Sequence, residues 1–495
     1  MNCKRCGKSI NSTDLFCKHC GTSVCVSYVP SDSNIFEYRE NSSEITITGL
    51  KREYEESCSI IVIPKCIDGK TVTKIGSSAF YDCHNIISIT VPDCVEDIER
   101  GAFARCFSLY HVVLPHRLKK ISNFLFRQCV SLYKVDIPES VEEIGNFAFA
   151  DCTALSCFNI PKSVSSVNAS AFSRCYSLKE ICISPENNYL VIEDNVIFNR
   201  EKTTIAACFQ KGRLYTVPKN IRVISEYAFC SCSIDVVSIE HDIDEICNHA
   251  FFDSDITKLS ITGSVGKLGE NLCSRSARLV DAFTLGSITE IANGMFGECT
   301  GMREVTLPKS TVKIGSKAFS GCRSLISINI RDKVKELGNE AFCSCSELRY
   351  INIPNSITKI GGNAFANCHS LRMIALSENL SEISDGMFIG CLLLSKIDIP
   401  QNIERIGKYS FAHCISLENI VIPENVKEIG EHAFEGCNSL RKIIIPKGVK
   451  TIESGAFDEC TLLKRIIVPK HLYSCFDSFT DPFYGDHECI VEVYS

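Results

Sequence analysis

Long apolar runs are missing from this sequence; none approaches the roughly 18–20 residues that a membrane-spanning helix needs. The first residues, MNCKRCGKSI, lack the apolar core of a cleaved export signal, so export by that route is not expected. Also missing are a glycine-rich phosphate loop, an HExxH or GxSxG motif and a paired catalytic carboxylate motif. The expectation is a protein that is not an enzyme. Positive charge is in deficit too: a formal net charge of −7 asks for neither nucleic acid nor an anionic membrane at whole-chain level. The 45% apolar and 22% charged content suits a soluble folded chain and excludes wholesale disorder.

What the chain has in abundance is repetition. Phe, usually after Ala, recurs at Phe80, Phe103, Phe126, Phe149 and Phe172, and then at Phe229 and Phe251. It returns at Phe296, Phe319, Phe342, Phe365, Phe388, Phe411, Phe434 and Phe457. Within the two long blocks the interval is 23 residues every time. A length of 495 residues then need not mean several globular domains, because a repeat architecture grows by stacking. In FAHCISLENIVIPENVKEIGEHAF, counted from Phe411, Cys414 stands at +3, Leu417 at +6, Ile420 at +9 and Ile422 at +11. Pro423 follows at +12, Val426 at +15, Ile429 at +18 and Gly430 at +19. The +9 and +11 side chains share one face of a short strand, +8 and +10 share the other, and Pro ends the pairing. Coil stacked on coil predicts a mostly β solenoid with one long parallel sheet, its strands about 4.8 Å apart. The other half of each turn, Val-x-x-Ile-Gly-x-x-Ala-Phe, returns the chain and points its apolar members inward.

Fourteen of the 31 cysteines fall in the +3 column: Cys83, Cys106, Cys129, Cys152, Cys175, Cys232, Cys299, Cys322, Cys345, Cys368, Cys391, Cys414, Cys437 and Cys460. A metal ladder or a set of disulfides is one reading. The plainer one is a small buried residue at a corner, its S–H a weak donor to a backbone carbonyl. A continuous column has no reason to pair off, so the plainer reading is preferred.

Four further cysteines behave differently. Cys3-Lys-Arg-Cys6-Gly7 and Cys17-Lys-His-Cys20-Gly21 form C-x2-C-x10-C-x2-C. Each pair fits a tight turn aiming two sulfurs at one ion, and two such turns close a tetrahedral site with no open position. A segment this short has almost no core, so one structural Zn2+ held by Cys3, Cys6, Cys17 and Cys20 would supply its folding energy. Two redox C-x-x-C pairs are the alternative, but no βαβ pattern surrounds them. Lys4, Arg5, Lys8, Lys18 and His19 make the module basic, which leaves nucleic-acid contact as a further alternative to a solvated face. The segment resembles the short zinc ribbons that begin many prokaryotic proteins, implying a structural or docking role. Thiols buried in a column and thiolates on zinc both require reduction, so a reducing, cytoplasmic setting is expected.

The repeat resembles the BspA-type leucine-rich repeats, on Leu417, Ile420, Ile422, Pro423, Val426, Ile429, Gly430, Ala433, Phe434 and their counterparts across about residues 35–495. That resemblance implies a solenoid of leucine-rich coils that binds other proteins, and many members of the family are secreted or surface-anchored adhesins. The expected layout is a zinc ribbon at 1–24, a linker at 25–34, a capping coil at 35–75, the solenoid at 76–470 and a cap at 471–495. Residues 184–217 interrupt the period, with Asn195–Asn199 and Thr204–Cys208 reading as two strands around a turn at 200–202. Between Phe229 and Phe296 the interval slips to 22 twice, Ser254 replaces the column Cys and Cys273 replaces Phe. This is expected to be the weakest-packed stretch.

His241, Cys247 and His249 invite a metal or nucleophile reading, but His249 sits where other coils carry Ser78, Lys317 or His432, so a structural place is expected. Function is expected in the letters the repeat leaves free, here Glu418, Asn419 and Val421. On the outward positions +7, +8 and +10, the candidate partner contacts are Tyr110, Tyr133, Tyr350, Arg372, Lys396, Arg441, Lys442, Lys464 and Arg465. Aromatic and Arg side chains are the usual anchors of interfaces, and this set suits an acidic protein partner bound by a monomeric scaffold. Solubilising charge is the bland alternative. An adhesin reaching the surface by an unrecognised route is the other.

Overall fold

A computed structural model describes residues 33–54, 58–285, 288–476 and 489–494. The four-cysteine module at 1–24, with Cys3, Cys6, Cys17 and Cys20, lies outside the described residues, as do 25–32 of the linker and 477–488 of the expected cap. Two compact units divide the chain, one ending at Phe209 and one beginning at Gln210.

In the first unit Phe36–Glu40 runs antiparallel to Glu44–Leu50, which lies parallel to Lys70–Ile75 and starts the stack. The expected strand then repeats: Ile60–Val62, Ser88–Thr90 and His111–Val113 pair in parallel, as do Cys157–Ile160 and Glu180–Ile183. A second ladder was not foreseen. The return half of each coil also pairs in parallel, Lys70–Ile75 with Asp97–Ile98 and Lys120–Ile121 with Glu143–Ile144. The interruption is an antiparallel meander of Leu190–Glu193, Val196–Asn199 and Thr204–Cys208.

The second unit has both kinds of ladder as well. The outward-facing sheet runs in segments rather than as one continuous sheet. Lys211–Thr216 leads to Asp281–Leu285, Glu304–Thr306 leads to Lys396–Ile397, and Lys442–Ile444 leads through Arg465–Pro469 to Ile490–Tyr494. Residues 418–422 form no strand. The return ladder runs from Glu290–Ile291 to Lys359–Ile360 and from Glu382–Ile383 to Thr451–Ile452, two residues per rung.

The period sets the interior. Phe296 to Phe457 are stacked rings with centroids 5.3–5.7 Å apart, somewhat wider than the strand spacing of about 4.8 Å. Burying each ring stabilises by about 1.5–3 kcal/mol relative to exposure. The cysteine column beside them is a column of donors. Cys345 Sγ donates to the Phe319 carbonyl at 3.1 Å, and that oxygen also accepts the Cys322 N–H at 3.1 Å. The same bond to the preceding coil recurs at Cys129, Cys322, Cys391 and Cys460. Burial pushes the Cys322 thiol up to about 12, so it keeps the proton it donates. The cysteines of the described residues are free thiols.

The 22-residue coils keep this scheme with hydroxyls. Ser276 Oγ donates to the Phe251 carbonyl at 2.8 Å and lies 3.0 Å from Ser254 Oγ, and Cys299 Sγ donates to the Cys273 carbonyl at 3.1 Å. Packing there is not weak: Phe229, Val237, Phe251, Leu259 and Leu272 are fully buried, and the strand Ser233–Ile239 is longer than those of the regular coils. The lost residue comes from a turn, so the inward set survives and Ser233–Ile239 pairs with Lys258–Ile261 without a register shift; one appears between Leu259 and Ile261 only against Asp281–Leu285.

Corners between coils are held by side-chain carbonyls and carboxylates. Asn339 Oδ1 accepts the Gly362 N–H at 3.0 Å, and Asp385 Oδ1 accepts the Lys408 N–H at 2.9 Å. The repeated Gly follows from the same crowding, since a Cβ on Gly361 would lie 2.4 Å from the Asn339 nitrogen.

Candidate docking face

Strand alternation sends +9 and +11 inward and leaves +8 and +10 outward, so the face is written by residues the core does not need. Tyr110 and Tyr133 form a pair of their own in the first unit, rings nearly parallel at 6.2 Å, with Tyr133 in a stretch, 131–138, that forms no strand. In the second unit, register sets Tyr350 beside Met373 and Met373 beside Lys396. Further along, Lys442 lies beside Arg465 and Ile444 beside Ile467. Met373 and Ile444, which neither charge nor aromaticity singles out in the sequence, are exposed apolar side chains at outward positions.

The candidate cations are not equivalent. Arg465 is occupied, its guanidinium donating from Nε at 2.9 Å and from Nη2 at 2.7 Å to the two Glu492 carboxylate oxygens. Lys396 sits 3.5 Å from Asp398 on its own strand face. Arg372, Arg441, Lys442 and Lys464 are exposed and have no ion-pair partner among the described residues.

The return ladder, by contrast, supplies its own counter-ions. Its outward position reads Glu290, Lys313, Glu336, Lys359 in one segment and Glu382, Arg405, Glu428 in the next. In-register stacking would set identical charges about 4.8 Å apart, and like charges directly opposite destabilise. Alternation removes that conflict. Lys313 meets Glu290 at 3.0 Å, Lys359 meets Glu336 at 3.7 Å, and Arg405 reaches Glu382, Asp385 and Glu428 at 3.5, 2.7 and 3.3 Å. The Glu290 hydrogen bond holds the Lys313 ammonium above its ordinary range. The signal was in the sequence, visible only once the return half is known to pair.

His241, Cys247 and His249 do not converge on a metal. The His249 ring stacks on Tyr227 at 4.9 Å with its edge to Phe252, and burial lowers its basicity; His241 Nε2 lies 2.9 Å from the Ile221 carbonyl. Among the described residues no group of three or more His, Cys, Asp or Glu is arranged to hold an ion. Nor is any described helix long and apolar enough to cross a membrane.

A constant interior, a variable outward face and parallel coils of one period define a leucine-rich repeat solenoid. Residues 73–205, 206–299, 280–393 and 381–481 match the family model described as BspA type leucine rich repeat region. The chain belongs to that family. A solved leucine-rich repeat protein from Eubacterium ventriosum shares the fold at 21% identity and a TM-score of 0.54, over 66% of this chain and 91% of that one. A leucine-rich repeat protein from Bacteroides ovatus is 22% identical over 93% of this chain and 98% of that one, with a TM-score of 0.44. A leucine rich cell surface protein from Faecalibacterium prausnitzii is 23% identical over 91% and 97%, with a TM-score of 0.39. No curated protein matches the chain.

Proposed function

We propose that this chain is a non-catalytic scaffold that takes a protein with an acidic surface on the outward sheet face of its second unit. One observation carries the reading: among the described residues Arg372, Arg441, Lys442 and Lys464 stand exposed without ion pairs, beside exposed Met373, Val421 and Ile444, while the return ladder pairs its cations Lys313 and Arg405. Unpaired cations around apolar side chains are poor solubilising design and suitable docking chemistry. Affinity capture tests it. Charge reversal at Arg441, Lys442 and Lys464 is expected to abolish recovery of the captured protein, and reversal at Lys313 and Lys359 to leave it intact. Unchanged recovery after the first set defeats the proposal.

The amino-terminal module is proposed to hold one structural zinc through Cys3, Cys6, Cys17 and Cys20, four thiolates matching the tetrahedral preference of the ion. Elemental analysis of the purified chain should find one zinc, lost when Cys3 and Cys6 become Ser. A reducing compartment is proposed from the S–H donors of the core, which oxidation would remove. Cell fractionation that finds residues 80–460 exposed at the surface would replace the cytoplasmic reading with the adhesin one. Salt-sensitive retention on nucleic acid, lost with zinc, would point to the basic ribbon instead.

A further inference from the structure

We infer that the partner presents an amphipathic acidic α-helix laid along the stacking axis over Val421, Ile444 and Ile467. The inference rests on the reading of this face as a protein-docking surface and adds what shape of ligand fits it. Val421 is 77% and Ile444 50% exposed, and Ile467 is half-buried. All three hold position +10 in successive coils, and Ile444 and Ile467 are register partners, so they form an apolar row along the axis. A second row, at +8, carries Lys442 and lies two residues along the strand, about 6.8 Å to one side. Arg441 and Lys464 flank that row at +7.

Pitch decides between occupants. The row repeats about every 4.8 Å, and an α-helix repeats every 5.4 Å, so three apolar residues one turn apart drift by only about 1.2 Å across three coils. An extended strand brings a side chain back to the same face every 6.6–6.8 Å or so, and is out of step by about 4 Å over the same distance. A polyproline helix, at about 9.3 Å per turn, would use every second coil and leave the middle aliphatic uncovered. A helix is also about 10–12 Å across, wide enough to cover the apolar row and reach the cations beside it. The apolar stripe sits on +10, and carboxylates on the flank of that stripe meet Arg441, Lys442 and Lys464.

The test uses the full chain and three fluorescent peptides of about 18 residues, or five turns. One carries Leu at i, i+3, i+4 and i+7 with Glu along one flank, one is a scramble of identical composition, and one is the ordered peptide with a central Pro. Anisotropy titrations should show the ordered peptide binding at least about tenfold tighter than either control. Ile444→Asp, and separately Lys442→Glu with Lys464→Glu, should each weaken that binding at least about tenfold, with melting temperatures unchanged because the side chains are exposed. Equal binding of all three peptides, lost on charge reversal, overturns the helix and leaves the acidic-partner reading standing. Binding of none of them, or binding indifferent to both sets of substitutions, overturns both.

Discussion

Two outward ladders run along the second unit, built by the same in-register stacking, and they treat charge in opposite ways. The return ladder alternates Glu and Lys or Arg, so each coil neutralises the next. The sheet face groups Arg441, Lys442 and Lys464 across adjacent coils and sets exposed aliphatics beside them. Stacking makes repulsion between like charges the default, at spacings well inside the screening length of physiological salt. A ladder that alternates has been relieved of that stress; a patch that does not has kept it. The residual stress is removable by a ligand of opposite charge, and that is why the second surface reads as a docking face.

Alkali separates the shared interior from both surfaces and should have the largest effect. An unfolded thiol titrates near 8.5, whereas burial holds Cys175 and Cys322 up to about 12 in the folded chain. The folded state then retains protons that the unfolded state releases, and stability falls as pH rises above about 8.5, by about 1.4 kcal/mol per pH unit for each such thiol until the folded value is reached. Circular dichroism against pH should show unfolding beginning above about pH 9, and Cys345→Ser with Cys368→Ser should move the midpoint upward. A smaller effect is expected from breaking the alternation. Arg405→Glu sets four carboxylates side by side on the return ladder and should cost about 1–2 kcal/mol, part of it recovered in high salt, as read from thermal melts. The smallest change should come from Lys442→Glu on the sheet face, within about 0.5 kcal/mol in stability while partner capture falls. If Lys442→Glu and Arg405→Glu destabilise alike, the contrast between the ladders is false.

Much of the fold was legible because a 23-residue period ties each Phe, Cys, Leu and Ile to one place in the coil. The S–H donor role followed from a cysteine too regular and too isolated from other ligands to be anything but a corner. Less legible was the return ladder. Lys313, Glu336 and Lys359 look like scattered surface charge in one dimension, and only pairing at two residues per rung makes them neighbours. The 22-residue coils misled for a related reason: a missing turn residue reads as damage, although Ser276 replaces the thiol and the inward set is kept.

At the candidate site the residues at +8 and +10 were found by parity, since position +8 must face away from +9, whereas Arg441 and Lys464 at +7 lie just before the strand. Which cations are free was not. Arg465 and Lys442 occupy the same column and differ only because Glu492, on a strand that returns after the period has ended, reaches one of them. By itself the sequence determined the coil, its interior and the identity of its outward letters, because local spacing fixes which way each side chain points. Tertiary structure alone decided which of those letters meet an opposite charge, because ion pairing depends on distances between coils that no interval along the chain records.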